Sequence, residues 1–165
     1  MPSVAAQVLA LLKTRLEAIN GTGEYTFNLV NRVEARRPAV NIEAINAPRV
    51  FVYRRQSGEQ REQRSNTVNQ IRRTVIYDCV AYVTSDSDEA GINAEALLAD
   101  IERALELKAD LNLKNADGKN LLSEILQLVE VEIDTSAPVT GVEVIGVGVR
   151  CVWPHVYGDP SKVQP

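Results

Sequence analysis

The chain has 165 residues, of which 45 % are hydrophobic and 5 % aromatic, and its formal net charge is −4. This length suits a single domain with a core of its own, so the fold needs no disulfide or metal to hold it. No apolar run approaches the roughly 20 residues that cross a bilayer, and the first residues lack a signal-peptide pattern. We therefore expect no membrane partner.

The N-terminal part combines a helical pattern with a strand pattern. Apolar residues recur at helical spacing from Val4 to Ile19, Ser3 is a suitable N-cap, and Gly21 is the expected left-handed cap at the other end. Alternating apolar and polar residues then predict a strand over Tyr25–Val33.

Two further extended pieces precede a long polar segment. Residues 40–45 and 49–55 are expected to be extended, and Pro48 marks a bend, an edge or the start of the second piece. From 56 to 70 the only aliphatic residue is Val68. This composition predicts a polar hairpin tip or a loop, and long segments of this kind in compact domains are usually functional or disordered.

The second half alternates strands with one helix. Residues 71–84 are apolar on both faces, which predicts a central strand, and an acidic helix is expected from about Asp88 to Lys108. Residues 109–128 give weaker signals, namely a short strand at 111–113, a turn at Asp117–Gly118 and a strand or short helix over 121–128. Val129–Asp134 alternates and predicts a strand with one face in water, and 141–153 is the last strand.

This order of elements predicts an α+β domain with a mainly antiparallel β-sheet flanked by two α-helices and a long polar hairpin or loop at about 56–70. The domain is expected to span residues 1–157. Residues 158–165 contain two prolines and no apolar pattern, so we expect a flexible C-terminal tail.

Residue types that support catalysis or metal binding are scarce. The chain has one histidine, His155, and two cysteines, Cys79 and Cys151, which lie in apolar strand patterns and are predicted to be buried and reduced. Their spacing does not suit zinc, and the acidic run Asp86–Glu89 is explained by helix capping. We therefore predict no enzyme activity, catalytic residue, metal or cofactor.

Charge is segregated along the chain. Between Arg32 and Arg73 there are ten basic residues, all of them arginine, and four acids, which gives a net charge of +6. Between Asp78 and Asp134 fourteen acids accompany four basic residues, which gives −10. Arginine favours carboxylates and phosphates through bidentate contacts. Copies of such a chain can join head to tail, and contacts of this kind can close into rings.

The arginine segment has three interpretations. It is a solvated charged loop, a surface for nucleic-acid phosphates, or a surface for the acidic helix and strand of a neighbouring subunit. Few aromatic residues accompany the arginines, which disfavours a groove that stacks bases. We select six residues as a candidate assembly or lumen surface: Arg54, Arg55, Arg61, Arg64, Arg72 and Arg73.

The layout of the chain resembles that of the tail terminator proteins (tail completion or neck proteins) of tailed bacteriophages. Most of the chain takes part in the resemblance. Its features are the opening helix with its end, a short strand piece, a strand with a preceding proline, a polar loop, a long apolar strand, an acidic helix and two closing strands. In chain order they are Val4–Leu12, Asn20–Gly21, Tyr25–Phe27, Pro48–Tyr53, 56–70, Val75–Val83, the helix from Asp88, Val129–Ile133 and Gly146–Arg150.

The resemblance implies a structural virion protein without catalytic residues. Such a protein forms a hexameric ring on the head-proximal end of the tail tube, stops tube polymerisation and provides the surface for the head or connector, while DNA passes through the lumen. The implied partners are other copies of the chain, the tail tube protein, a head-tail connector or neck protein, and DNA in transient, non-specific contact. Residues 109–120 and those after Pro154 are candidates for contact with a tail sheath or neck protein.

The implied location is the virion tail or neck, with the host cytoplasm as the place of assembly. The alternative function is a small nucleic-acid-binding α+β module that uses the arginine-rich segment. The two functions differ in what the arginines contact, which is carboxylates in the first and phosphates in the second.

Overall fold

A computed structural model describes residues 2–38, 46–63, 70–85, 91–106, 112–134 and 141–156. Within these ranges the chain forms two α-helices and a mostly antiparallel sheet of six strands, which confirms the predicted α+β class. In chain order the elements are α1 (Val4–Glu17), β1 (Val33–Glu34), β2 (Arg49–Arg54), β3 (Gln60–Gln63), β4 (Gln70–Thr84), α2 (Ile92–Glu106), β5 (Gln127–Asp134) and β6 (Val142–Val156).

Helix α1 begins where the sequence predicts and ends earlier. The side chain of its N-cap, Ser3, accepts a hydrogen bond of 3.2 Å from the backbone N–H of Ala6, which satisfies a donor of the first turn. The predicted cap at Gly21 is wrong, because the helix stops at Glu17 with a right-handed C-cap. Gly21 does have a φ of +72°, but there it accompanies a close approach to Asn28.

Two long strands form the centre of the sheet. β4 and β6 pair antiparallel along 15 residues each. The order across the sheet is β1-β2-β4-β6-β5, and β3 pairs with β4 beyond the end of β2. Among the strands in the described ranges, β1 and β2 are the one parallel pair of neighbours. β4 therefore lies in the middle of the sheet, as its two apolar faces predict.

The two faces of the sheet differ in burial. Alternate side chains of a strand point to opposite faces, and on β4 Val75, Tyr77 and Cys79 are buried whereas Ile76 and Val80 are half-buried. The buried set shares one core with the apolar stripes of both helices, and the Tyr77 hydroxyl donates to a backbone carbonyl of α1. We call this face the helix side and the opposite face the far side.

The predicted strand over Tyr25–Val33 is mostly wrong. Of these residues only Val33 belongs to a strand, the short β1. The reason is Asp100 of α2, whose fully buried carboxylate accepts hydrogen bonds of 2.8 Å from the backbone N–H groups of Thr26 and Phe27. Because a side chain satisfies these two donors, the segment does not need a neighbouring strand to pair them.

The strand predicted over Val129–Asp134 is confirmed as part of β5, but its regular alternation is wrong. A β-bulge adds one residue opposite β6, and Glu130 in this region has a φ of +53°. The extra residue changes which side chains share a face. Val131 is therefore 46 % exposed, while Ile133 packs on the core.

Residues 112–126 form neither the helix nor the strands that their pattern allowed. An isolated bridge joins Lys114 to Asn120 around the predicted turn at Asp117–Gly118, where the glycine has a φ of +75°. Leucines of this segment nevertheless fill core positions, which explains their mixed signal: Leu113, Leu121, Leu122 and Leu126.

Some predictions concern residues outside the described ranges. They are the extended piece at 40–45, the capping run at 86–89, the strand residue Leu111, the tail 158–165 and Arg64 of the candidate surface. The acidic helix predicted from about Asp88 to Lys108 is described as α2, from Ile92 to Glu106. In the polar segment 56–70, β3 pairs antiparallel with β4, and residues 64–69 lie outside the described ranges.

Candidate assembly surface

The structure describes five of the six arginines selected from the sequence and divides them between the two sides of the sheet. The sixth, Arg64, lies outside the described ranges. Cross-strand register places three of the five on the helix side: Arg54, Arg61 and Arg73. Arg55 and Arg72 follow the alternate residues of β4 and belong to the far side. The five arginines thus form two groups rather than one surface.

On the helix side three arginines surround one carboxylate, and we call these residues the Glu59 cluster: Arg54, Glu59, Arg61 and Arg73. The backbone turns between β2 and β3 at Gly58, with a φ of +84°. One carboxylate oxygen of Glu59 accepts from the Nε atoms of Arg61 and Arg73, both at 2.9 Å, and the other contacts Arg54. Because three guanidinium groups share one carboxylate, the cluster has two positive charges in excess.

Arg73 is the buried member of this cluster. It is 7 % exposed, and its guanidinium lies 5.5 Å from the centre of the Trp153 ring, within the range of a cation–π contact. Burial lowers the pKa of Arg73, and the like charge of Arg61 lowers it further. The side chains of Arg54 and Arg61 are 42 % and 61 % exposed, so these two residues present the excess charge to solvent.

On the far side, Arg55 is held between two carboxylates. Its Nε and Nη2 atoms donate to one oxygen of Asp78 at 2.9 and 2.7 Å, and Nη2 lies 2.6 Å from Glu130. These hydrogen bonds raise the pKa of Arg55 and lower the pKa of Glu130. Glycine at position 148 permits this arrangement because it has no Cβ. A Cβ there would lie 2.9 Å from the carbonyl oxygen of Val129, which is too close.

A second far-side group is centred on Glu124. Its carboxylate contacts Arg72 through one oxygen and accepts from Arg150, at 3.2 Å, through the other. Arg72 also donates to Glu62, at 3.4 Å, on the neighbouring strand β3. The two far-side arginines of the candidate surface, Arg55 and Arg72, are therefore matched by carboxylates, whereas the arginines of the Glu59 cluster outnumber theirs.

Sequence reasoning missed the acidic members of these groups. Glu59 and Glu62 were counted only as charges that offset the arginines, although their position within the arginine segment is a usable signal. Asp78 and Glu130 are distant in sequence from Arg55, and Glu124 is distant from Arg72, so only the folded chain brings these carboxylates to the arginines.

The complementary charge lies on α2. Glu95, Ala99, Glu102 and Glu106 follow one another by three or four positions and form one line along the outer surface of the helix, which we call the acidic stripe. In the described part of the chain the three glutamates have no ion-pair partner. A shallow groove lies between Ala99, Glu102, Arg103 and Glu106.

The Glu59 cluster and the acidic stripe lie toward different edges of the sheet. The cluster sits where β2 leads into β3, on one side of β4. Helix α2 packs over β4, β6 and β5, toward the other edge, while α1 packs over β1 and β2. Each copy of the chain therefore carries a basic and an acidic surface in separate places.

Other chemistry is limited in the described ranges. Cys79 and Cys151 are free and buried, as predicted, and burial raises the pKa of each thiol to about 12, so neither is a nucleophile at neutral pH. No group of three or more His, Cys, Asp or Glu side chains among the described residues could hold a metal ion. His155 lies on β6, opposite Ile71. Neither described helix is long and apolar enough to cross a membrane.

Comparisons with known proteins include a structural likeness. No family model matches the sequence, and no curated protein matches it. Among solved structures, the chain is similar to a component of the virion of a native gene transfer agent particle, with 17 % sequence identity and a TM-score of 0.45. The alignment covers 91 % of this chain and 90 % of that one.

Proposed function

We propose that this chain is a structural virion protein of the tail terminator kind, with no enzymatic role. In this proposal it forms a ring on the head-proximal end of a tail tube, stops tube polymerisation and provides the surface for the head or connector. The sequence resemblance supports the proposal, and one structural observation carries it. That observation is the excess positive charge of the Glu59 cluster on a chain whose acidic stripe is unpaired in the described ranges.

Unlike surfaces on one chain favour a particular kind of assembly. Suppose that the basic surface of one copy binds the acidic surface of another. The resulting pair still has a free acidic surface on the first copy and a free basic surface on the second, so further copies can add at either end. The chain of contacts grows until it closes as a ring or continues as a filament. A ring has a lumen, which in this proposal is the passage for DNA, and six copies follow from the resemblance.

The arginines suit assembly better than retention of DNA. Arg55 and Arg72 already contact carboxylates, and Arg73 is buried against Trp153. Phosphate binding would have to displace these partners. Among the five described arginines of the candidate surface, Arg54 and Arg61 are the two that offer exposed excess charge, so we expect weak, salt-sensitive contact with DNA in the lumen.

Mass measurement and electron microscopy test the ring. Light scattering of the purified chain, over a range of concentrations and salt, is expected to show a species of about 109 kDa, which is six copies of 18.2 kDa. Negative-stain micrographs should show rings with a central hole, and immunogold labelling of purified particles should mark the junction of head and tail. A monomer under all conditions that is also missing from the particles would overturn the proposal.

The nucleic-acid-binding alternative is tested by a salt titration with duplex DNA. The exposed arginines of the Glu59 cluster are the observation in its favour. Tight binding at physiological salt that is lost in an Arg54→Gln, Arg61→Gln variant would support this alternative over the ring. Weak binding that disappears at moderate salt fits the ring.

A further inference from the structure

The geometry points to a specific contact between copies, and this inference rests on the proposed function. We infer that Arg54 and Arg61 of the Glu59 cluster bind the acidic stripe of α2 on a second copy of the chain, with Glu102 and Glu106 as the receiving carboxylates. The partner is thus the chain itself, in a head-to-tail arrangement.

The basic half of this contact needs carboxylates from outside the cluster. Glu59 has two carboxylate oxygens, and three arginines use them. Arg73 is the arginine whose place is fixed, because it is buried and lies over Trp153. Arg54 and Arg61 keep donors that face solvent, since a guanidinium has five N–H donors and these contacts use a fraction of them.

The acidic half has the shape and charge to receive a guanidinium. Glu102 and Glu106 are one helical turn apart, and the small side chain of Ala99 leaves the groove between them open. Arg103 also lines the groove, but its Nη1 atom donates to Asp100, at 3.3 Å, and to the carbonyl of Glu24, at 3.1 Å. The charge of Arg103 is thereby held toward its own chain, and the stripe remains acidic.

Charge excludes the symmetric alternatives. Two Glu59 clusters brought together would repel each other, and so would two acidic stripes, because like charges at an interface cost several kcal/mol. The remaining pairing is cluster to stripe. Both surfaces belong to the helix side of the sheet and lie toward different edges, so a rotation can bring them together without turning the sheet over.

The far-side arginines of the candidate surface do not offer an equivalent contact. They are matched within the chain, Arg55 by Asp78 and Glu130, and Arg72 by Glu124, which it shares with Arg150. A partner would have to replace these internal ion pairs before it gained any of its own. Among the described arginines of the candidate surface, those of the Glu59 cluster therefore gain most from an external carboxylate.

Charge reversal at the two halves tests the contact, with assembly followed by light scattering. Arg61→Glu alone places a new glutamate against the acidic stripe of the partner copy. Glu106→Arg alone places a new arginine against the Glu59 cluster of the partner copy. Each variant is expected to raise the concentration for half-assembly by about tenfold or more. An equal mixture of the two variants should assemble nearly as well as the unmodified chain, because alternating copies restore an opposite-charge pair at every contact of an even-membered ring.

Matched controls come from exposed residues outside both surfaces. Lys119→Glu and Asp117→Lys make the same charge changes in the turn between residues 114 and 120, and both are expected to assemble like the unmodified chain. Circular dichroism of each variant checks the fold, and rescue by mixing could not occur if a variant were simply unfolded.

The outcomes separate this inference from the proposed function. Suppose that the unmodified chain forms rings. If the two charge-reversal variants then assemble like their controls, or if the folded variants fail to rescue each other, the cluster-to-stripe contact is wrong while the proposed ring stands. If the unmodified chain forms no assembly and is missing from particles, the proposed function falls and takes the contact with it.

Discussion

The two sides of the sheet use the same strands for different purposes. On the helix side, Tyr77 and Cys79 are fully buried under the helices and carry no charge. On the far side, the adjacent Asp78 forms an ion pair with Arg55, and Ile76 and Val80 on the same face are half-buried. Residues one position apart along β4 thus have opposite environments.

The difference shows that the presence or absence of helices over a side of the sheet determines whether charged side chains are stable there. Where helices exclude water, an ion would lose its hydration, so apolar packing is favoured. Where water is near, ion pairs cost little and contribute little. Among the residues that the structure describes, two carboxylates are buried, on α2 and β6, and each accepts from backbone N–H groups: Asp100 from Thr26 and Phe27, and Glu143 from Gly91.

The largest expected effect comes from removing an apolar side chain on the helix side. Ile145→Ala deletes three carbon atoms from a residue with 0 % exposure, and we expect a loss of about 3–4 kcal/mol in the free energy of unfolding. Val144→Ala, at the neighbouring residue, which is half-buried on the far side, should cost less than about 1 kcal/mol. Urea denaturation of both variants measures the comparison. Equal losses would mean that the two sides are equally well covered.

Removing a carboxylate should cost more stability where the carboxylate is buried than where it is partly exposed. Asp100→Ala leaves the N–H groups of Thr26 and Phe27 without their acceptor, and we expect a loss of about 3 kcal/mol. Asp78→Ala removes a partly exposed partner of Arg55, for which about 1 kcal/mol is expected. Thermal unfolding compares the two, with Asp117→Ala as a neutral exposed control. A smaller loss for Asp100 than for Asp78 would contradict this account.

The pH dependence of stability should report on the buried thiols. Cys79 and Cys151 have folded pKa values of about 12, above the ordinary value of 9.0. A group whose pKa is raised by folding contributes its stability below the unfolded pKa and loses it as pH rises toward the folded one. Between pH 9 and 12 each thiol should lower the unfolding free energy by about 1.4 kcal/mol per pH unit.

The control for this effect is a Cys79→Ala, Cys151→Ala variant. It should keep the part of the alkaline slope that comes from Tyr77, whose pKa burial also raises, and lose the part that comes from the thiols. An identical slope in both proteins would show that the thiols ionise as easily in the folded chain as in the unfolded one.

The sequence predicted the elements whose signal is carried by many residues. The apolar stripe of α1, the two apolar faces of β4 and the long β6 were all identified from periodicity. Its failures come from single contacts between distant residues. Asp100 satisfies the backbone of Thr26 and Phe27 and so removes the expected strand, and no local pattern encodes that contact.

The candidate surface shows the same limit. The excess of arginine was visible in the sequence, but the side of the sheet on which each arginine lies depends on strand register. The register puts Arg54, Arg61 and Arg73 on the helix side and Arg55 and Arg72 on the far side. A shift of one residue in pairing would exchange the two groups. The carboxylates that match the far-side arginines come from elsewhere in the chain, which composition cannot assign.

The smallest expected effect on stability concerns Arg61, and it distinguishes the edge of the helix side from its interior. The Arg61 side chain is 61 % exposed, so Arg61→Glu should change the free energy of unfolding by less than about 1 kcal/mol even though it places a second carboxylate near Glu59. Arg73 and Arg54 remain to balance both acids. Urea denaturation beside Lys119→Glu measures the change, and a loss above about 2 kcal/mol would mean that Arg61 holds the fold together rather than offering charge to a partner.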